Sequence, residues 1–323
     1  MADYKGIKGF TIPTVSSDPS NPILGQIWYN STTDTLKGVE VGVGTWSSSN
    51  AMNTGRRFFA GLGTQATALA AGGSPVLVNL TETYDGTSWT EDNDLNTNHG
   101  DGVSGFGTTS AGAAVGGKGS PASPTGIDSV EEWNGTGWTE ATAYPSSVAG
   151  GASAGTQTSG IYIGGTKPAI TNVTSEYDGT NWTSGGDLNT GRGYLAGFGT
   201  QVATVALAGY APGNVSIQEQ YNGTSWSEAG DLNTARRSLG GSGSTTAGLG
   251  FGGYTDAAQD LTESYNGTSW TEVADLGTAR YRLGAGTSSP NTSSICFGGG
   301  PGGKTDTEEW NKPDSTTVTV TTS

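Results

Sequence analysis

The chain has 323 residues and a mass of 32.6 kDa, and its formal net charge of −15 argues against nucleic acids and anionic lipid surfaces as partners. One cysteine, Cys296, excludes an intrachain disulfide, and one histidine with one cysteine argues against a zinc or copper site, so we expect no cofactor and no metal. No signal-peptide core and no run of roughly 18 apolar residues is present, so we expect synthesis in a cytoplasm and no membrane insertion.

Residues 1–38 do not follow the repeat that fills the rest of the chain, and we predict that they form an N-terminal arm. The segment GQIWYNSTTDTLKG at 25–38 predicts a short hairpin, because an apolar run with Ile27, Trp28 and Tyr29 is followed by a polar turn. After it, valines alternate with small or polar residues over Val39–Trp46, which predicts a further strand.

From Trp46 onward one pattern recurs, in which a diglycine, an aromatic residue followed by Asp-Gly or Asn-Gly, and a Trp keep a fixed order. Successive aromatic residues are 49, 44, 44, 44 and 45 positions apart, and they are Tyr84, Trp133, Tyr177, Tyr221, Tyr265 and Trp310. The Trp residues that begin the fourth strand of each repeat are Trp46, Trp89, Trp138, Trp182, Trp226 and Trp270. Repeats of this length with four strands each predict an all-β propeller.

The two series of aromatic residues are offset by one repeat. The last third strand, ending at Trp310, has no Trp after it, and the first fourth strand, at Trp46, has no third strand before it. We therefore predict six blades closed by the N-terminal strand Val39–Trp46, which completes the last blade. The propeller is expected to span 39–314, and the β-prone tail 315–323 either adds an outer strand or pairs with another chain, so a homo-oligomer is one candidate assembly.

The diglycine, the aromatic residue before Asp/Asn-Gly, the Trp and an Arg ten residues later resemble the kelch-repeat family over residues 39–310. The resemblance implies a kelch-like propeller, and it leaves the function open because kelch propellers serve as enzymes, adaptors and adhesins. The segment DPSNPILGQIWYNSTTDTLKG at 18–38 resembles segments of bacteriophage tail-fibre and other structural proteins. That resemblance implies an arm that docks to other virion proteins, with Ile27, Trp28 and Tyr29 as attachment residues.

A set of mostly basic residues stands ten positions after each Trp, near the predicted channel mouth. Its members are Arg56, His99, Val148, Arg192, Arg236 and Arg280. In the functional interpretation they form a partial basic ring for an anionic ligand such as a carboxylate sugar. In the structural interpretation, which we favour, each pairs with a glutamate that recurs two positions before the third-strand aromatic residue. Those glutamates are Glu82, Glu131, Glu219, Glu263 and Glu308.

Two further features are candidate ligand contacts. The second repeat carries an insertion at 118–127 with Lys118, Pro121 and Pro124, and insertions on a repeat scaffold fall in loops. Four tyrosines lie in loops or near strand ends, where they either stack on sugars or fill gaps between blades, and they are Tyr194, Tyr210, Tyr254 and Tyr281.

These patterns favour a non-enzymatic bacteriophage virion protein, a fibre, appendage or surface component, whose propeller binds a host-surface glycan or a neighbouring virion protein. One alternative is a sialidase-like or lyase-like enzyme that uses the channel mouth, although nothing in the sequence positions an arginine triad or a Tyr/Glu nucleophile pair. The other is an intracellular kelch-type adaptor that binds a protein partner.

Overall fold

The computed structural model describes residues 12–23, 25–75, 79–119, 126–166, 169–313 and 315–320. These residues form strands and turns without a helix. A search of the same residues finds no helix that could span a membrane. The chain divides into two compact units, a smaller one of Met1–Gly44 with Lys312–Ser323 and a larger one of Thr45–Asn311.

The smaller unit holds one four-stranded sheet in the order β1-β2-β3-β28. Its strands are β1 (Thr14–Val15), β2 (Ile27–Asn30), β3 (Thr35–Val41) and β28 (Ser315–Thr319). The antiparallel pairing of β2 with β3 confirms the predicted hairpin. Trp28 is fully buried, and its Nε1 donates a hydrogen bond of 2.9 Å to Asp18 Oδ1, so this side chain joins β2 to the segment that follows β1.

The described part of the tail is an element of the smaller unit. Strand β28 pairs antiparallel with β3, with Ser315 opposite Val41 and Thr319 opposite Lys37. The unit boundaries therefore differ from the predicted ones at 38 and 314, because the tail and the segment after the hairpin satisfy their backbone hydrogen bonds in one sheet.

The larger unit holds, within the described residues, six antiparallel four-stranded sheets. The first two consist of β5 (Ala60–Gly63), β6 (Ala68–Ala71), β7 (Thr81–Tyr84) and β8 (Trp89–Asp92), then β9 (Ser104–Thr108), β10 (Ala111–Val115), β11 (Val130–Trp133) and β12 (Trp138–Glu140). The third and fourth consist of β13 (Ala152–Thr156), β14 (Ser159–Ile163), β15 (Thr174–Tyr177) and β16 (Trp182–Ser184), then β17 (Ala196–Thr200), β18 (Ala203–Tyr210), β19 (Asn214–Tyr221) and β20 (Trp226–Glu228). The fifth consists of β21 (Gly240–Gly243), β22 (Gly248–Phe251), β23 (Thr262–Tyr265) and β24 (Trp270–Glu272).

The sixth sheet joins distant parts of the chain. Its strands are β25 (Gly284–Ala285), β26 (Ser293–Phe297), β27 (Thr307–Asn311) and β4 (Thr45–Ser49), and Trp310 lies opposite Trp46. An N-terminal strand thus completes the last sheet, but the predicted strand Val39–Trp46 is wrong in its bounds. The chain leaves β3 at Val41 and starts β4 at Thr45, and a Cβ at Gly42 would lie 1.9 Å from the Pro313 carbonyl oxygen, so this bend admits no side chain.

The first strands of the six sheets contact one another in sequence, and β25 in turn contacts β5. This arrangement of four-stranded sheets is propeller-like. The inner strands are rich in Gly, Ala and Ser, and they pack so closely that a Cβ at Gly61 would lie 2.8 Å from the Ala285 backbone nitrogen. Small residues are therefore required where the sheets crowd together.

Neighbouring sheets are joined by the repeated Trp residues. Each of four Trp Nε1 groups donates to a threonine hydroxyl of the preceding sheet, at 2.8–3.1 Å: Trp46 to Thr262, Trp89 to Thr307, Trp138 to Thr81 and Trp226 to Thr174. Their rings also pack on the aromatic residue that ends the third strand, as in Tyr221 and Trp226 with centroids 5.0 Å apart. Large rings with a satisfied polar edge supply the apolar area that this Leu- and Ile-poor chain needs.

Candidate functional site

Five buried charge contacts stand at the positions predicted for a basic ring. Arg56 Nη2 lies 2.7 Å from Glu82 Oε1, with both side chains almost wholly buried. The same contact joins Arg192 with Glu219, Arg236 with Glu263, and Arg280 with Glu308. These four arginines therefore make the glutamate contacts that the structural interpretation expects. Because they are buried, their guanidinium groups are not accessible to a ligand.

Each glutamate also stabilises the loop that carries its partner. Glu82 accepts hydrogen bonds from the backbone N–H groups of Asn53 (2.7 Å) and Thr54 (3.2 Å), three and two residues before Arg56. Burial lowers the pKa of Arg56, and the Glu82 carboxylate opposes that shift. In each pair the opposite charge and the hydrogen bonds to the glutamate offset the cost of burying the ions, which is the condition for a buried charge to be tolerated.

His99 takes the arginine position in the second sheet. It is fully buried, its Nδ1 lies 2.7 Å from the Gly116 carbonyl oxygen, and its Nε2 lies 3.3 Å from Glu131 Oε1. Burial acts to raise the pKa of Glu131, but His99 and the backbone N–H groups of Asn96 and Thr97 hold it below its usual value. His99 thus contacts its glutamate, as the structural interpretation expects, and its side chain does not face the surface.

Two or three residues after this set, the six loops form a closed ring of backbone hydrogen bonds. Each N–H donates to the carbonyl of the equivalent residue in the preceding loop. The donor–acceptor pairs are Phe58 to Arg282 (2.8 Å), Gly102 to Phe58 (3.1 Å), Gly150 to Gly102 (2.8 Å), Tyr194 to Gly150 (2.6 Å), Ser238 to Tyr194 (2.7 Å) and Arg282 to Ser238 (2.8 Å). The ring ties the six loops together at one end of the larger unit.

All six residues of the hydrogen-bond ring have positive φ angles. Two are glycines, but Phe58, Tyr194, Ser238 and Arg282 adopt the left-handed conformation with φ of 56–57°. This conformation costs on the order of 1 kcal/mol or more for each residue with a side chain, and such strain collects at ligand-binding sites. No sequence pattern predicts it directly, since the six positions share no residue type.

The strained backbone brings three large side chains together, and we name Phe58, Tyr194 and Arg282 the axial cluster. The Phe58 and Tyr194 rings meet with centroids 5.7 Å apart, although they come from the first and fourth loops. The Arg282 guanidinium carbon lies 3.8 Å from the Phe58 ring centroid. Burial lowers the pKa of Arg282, Asp101 acts in the opposite direction, and Arg57 adds to the lowering.

A second group continues from this cluster, and we name Tyr210, Arg237, Tyr254 and Tyr281 the tyrosine–arginine row. The Arg237 guanidinium lies between two rings, 5.2 Å from the Tyr210 centroid and 4.8 Å from the Tyr254 centroid. The Tyr254 and Tyr281 centroids are 5.0 Å apart, and Arg282 lies 5.4 Å from the Tyr281 centroid. The row and the axial cluster thus form one continuous, partly exposed surface that includes all four predicted sugar-stacking tyrosines.

A central cavity of about 110 Å³ adjoins this surface. The axial cluster and the first strands of the sheets line it, among them Ser104, Ser153 and Gly241. Ser104 and Ser153 donate to the carbonyl groups of Gly151 (2.6 Å) and Gly105 (2.9 Å), so these polar side chains are already satisfied.

The remaining predicted site residues belong to the insertion and to the N-terminal arm. Lys118 is partly buried, and its backbone N–H donates to the Asp101 carbonyl at 3.2 Å, whereas Pro121 and Pro124 lie outside the described residues. In the arm, Ile27 is exposed, Tyr29 is partly buried and Trp28 belongs to the interior. Among the described residues, no group of three or more His, Cys, Asp or Glu is arranged to hold a metal ion.

Comparisons with known proteins find a similar fold but no related sequence family. No protein-family model matches the sequence. No curated protein sequence matches it either. Among solved structures, the one described as "Structure of YjhT" is similar with a TM-score of 0.65 and 14% sequence identity, covering 84% of this chain and 96% of that one.

Proposed function

We propose that this chain is a non-enzymatic structural protein of a bacteriophage particle, whose larger unit binds a host-surface glycan and whose smaller unit attaches it to other virion proteins. In this proposal the six sheets of the larger unit are the blades of a kelch-type propeller, because their first strands follow one another and β4 completes the sixth sheet. The link to a phage particle rests on the resemblance of residues 18–38 to phage structural proteins.

The observation that carries the binding function is the continuous surface of the axial cluster and the tyrosine–arginine row. The chain has a net charge of −15, yet this surface presents Arg237 and Arg282 beside aromatic rings. Rings beside cationic donors are typical of recognition sites for polar ligands. The glutamates closest to the predicted basic ring are bound to arginines, which does not favour the alternative of acid–base catalysis there.

Exposed apolar side chains support the attachment role of the smaller unit. Four of the five large exposed apolar residues in the described chain belong to it, namely Ile23, Ile27, Val43 and Val320, and the fifth is Val202 of the larger unit. A Cβ at Gly38 would contact both Val320 and Ile27, so these two side chains share one face of the sheet. Exposed apolar residues that share a face are typical of protein–protein contacts.

Mass spectrometry of purified phage particles from the source culture tests this proposal. We expect peptides of the chain at a stoichiometric copy number. The variant Ile27→Asp is expected to reduce incorporation, whereas Val202→Asp, at an exposed apolar residue of the larger unit, is the matched control and leaves incorporation unchanged. Absence of the chain from particles would overturn the virion role and leave the adaptor and enzyme alternatives.

A further inference from the structure

We propose that the axial cluster and the tyrosine–arginine row form one binding site for a carbohydrate that carries carboxylate groups. This inference rests on the proposed function and names the chemical class of the glycan. Three kinds of groups on the surface match a sugar acid: guanidinium donors for the carboxylate, aromatic faces for the sugar ring, and a carboxylate acceptor for the sugar hydroxyls.

The distribution of arginine provides the first argument. All seven arginines of the chain lie in the loops that lead to the first strands, and four of them are used in buried pairs with glutamates. The remaining three are Arg57, Arg237 and Arg282, all partly exposed at the same end of the larger unit. A local excess of positive charge in an acidic chain favours an anionic ligand.

Arg282 is the group best placed to bind the carboxylate. Within the described chain, its guanidinium group has no ion pair within 4 Å and no hydrogen bond, and its contacts are with the Phe58 and Tyr281 rings. Packing on a ring orients the guanidinium while its N–H groups stay available. A planar guanidinium binds a carboxylate through two parallel hydrogen bonds.

Asp101 distinguishes a sugar acid from a simple anion. Asp101 directly precedes Gly102, whose N–H donates to the Phe58 carbonyl at 3.1 Å, and its carboxylate opposes the lowering of the Arg282 pKa. Its buried Oδ1 has no hydrogen-bond partner among the described residues. A buried acceptor without a partner costs stability, and a rotation of the Asp101 carboxylate toward the surface would let this oxygen accept a hydrogen bond from a ligand hydroxyl. From this carboxylate, an anion without hydroxyl groups would meet repulsion and gain no hydrogen bond.

The tyrosines supply the surfaces for the sugar rings. Tyr281 adjoins Arg282, and Tyr254 and Tyr210 lie on either side of Arg237, so aromatic faces alternate with guanidinium groups across the surface. This alternation fits a chain of acidic sugars better than a single monosaccharide, because each arginine has an adjacent ring for a neighbouring sugar.

Isothermal calorimetry of the full chain with polygalacturonate, a carboxylate polysaccharide, tests the proposal. Galactan serves as the neutral comparison and dextran sulfate as the polyanion without carboxylates. We expect binding to polygalacturonate and none to galactan. Binding to dextran sulfate that equals or exceeds binding to polygalacturonate would overturn carboxylate recognition and indicate unspecific charge attraction, as would affinity for none of the three polymers.

Variants locate the site. Arg282→Gln is expected to weaken polygalacturonate binding by about tenfold to a hundredfold, since hydrogen bonds to a charged group are lost. Lys37→Gln in the smaller unit removes one positive charge elsewhere and is expected to leave the affinity unchanged. An equal loss in both variants would overturn the site, and unchanged thermal unfolding of Arg282→Gln shows that its loss is not due to misfolding.

Mass spectrometry of purified phage particles, combined with the calorimetry, distinguishes failure of this inference from failure of the proposed function. A chain present on particles that does not bind polygalacturonate overturns the ligand class and leaves the virion role. A chain that binds polygalacturonate but is absent from particles overturns the virion role and leaves the binding site.

Discussion

The Tyr144 and Ser175 hydroxyl groups lie 2.9 Å apart in the interior of the larger unit, where the other five sheets have a buried charge contact. Ser175 takes the position of the glutamate, and Val148 takes that of the arginine. Both charges are therefore absent together, and Tyr144 replaces the Leu or Met found at its position in the other repeats. One partner without the other would leave an uncompensated buried charge, which explains why the two positions differ from the pattern in the same repeat.

A double-mutant cycle in the fourth sheet tests this explanation. Glu219→Ser alone is expected to lower the free energy of unfolding by about 3–5 kcal/mol, because Arg192 stays buried without its partner. Arg192→Val combined with Glu219→Ser reproduces the pair found in the third sheet and should be more stable than Glu219→Ser alone. Chemical denaturation measures the free energy of unfolding of Glu219→Ser, of Arg192→Val and of the double variant. If the two single losses add up to the loss in the double variant, the two residues are not coupled and the explanation is wrong.

Glu131 contributes to the way the free energy of unfolding changes at acidic pH. Burial acts to raise its pKa, but His99 and backbone N–H groups outweigh burial and hold the pKa below the usual 4.5. Its contribution to stability is therefore full above about pH 4.5 and is lost as the pH falls through the lowered value. Glu131→Gln should be less stable than the natural chain at neutral pH, and this difference should shrink below pH 4.5. Urea denaturation at several pH values measures it, and a difference that is constant with pH would show that the charge of Glu131 does not matter.

Tyrosines that bridge neighbouring sheets contribute to the way the free energy of unfolding changes at alkaline pH. Burial and a hydrogen bond to a glutamate raise the pKa of Tyr84 and of Tyr221 to about 12, with Glu309 and Glu176 as the respective acceptors. Each group therefore contributes stability that is full below its unfolded pKa near 10 and is lost as the pH rises toward 12. We expect Tyr84→Phe to unfold with a weaker dependence on pH between about 10 and 12, as followed by circular dichroism.

The hydrogen-bond ring predicts different outcomes for two glycines. At Gly102 the φ angle is +85° and a Cβ would lie 2.7 Å from the Gly150 backbone nitrogen, so Gly102→Ala should destabilise the chain by about 1–3 kcal/mol. Gly137 is the control, because no atom lies within 4 Å of a Cβ there and the other repeats have Ser, Asn or Thr at this position. Equal thermal unfolding midpoints for the two alanine variants would contradict the importance of the ring.

The sequence could predict the buried pairs and could name the four tyrosines of the surface, but it could not predict which side chains those tyrosines contact. Arg192 and Glu219 recur at fixed places in the repeat, and a charge that follows the period of the fold usually serves the fold. Phe58, Tyr194 and Arg282 do not recur as a residue type, so no pattern connects them. They meet only because the loops close into a ring with left-handed backbone angles.

The all-β class, the four-stranded repeat and the completion of the last sheet from the N-terminal side could all be read from the amino-acid order, because they follow from local alternation, turn residues and the offset of two periodic series. Three other features became known from the folded chain: where the closing strand begins, that the tail joins β3, and which side chains converge at the hydrogen-bond ring. Strand bounds and tail pairing depend on partners far away in the chain, as Trp310 and Trp46 show, and convergence depends on the backbone angles of loops that share no residue type. Long-range pairing and loop geometry leave no period in a sequence, and for this reason they had to be seen in three dimensions.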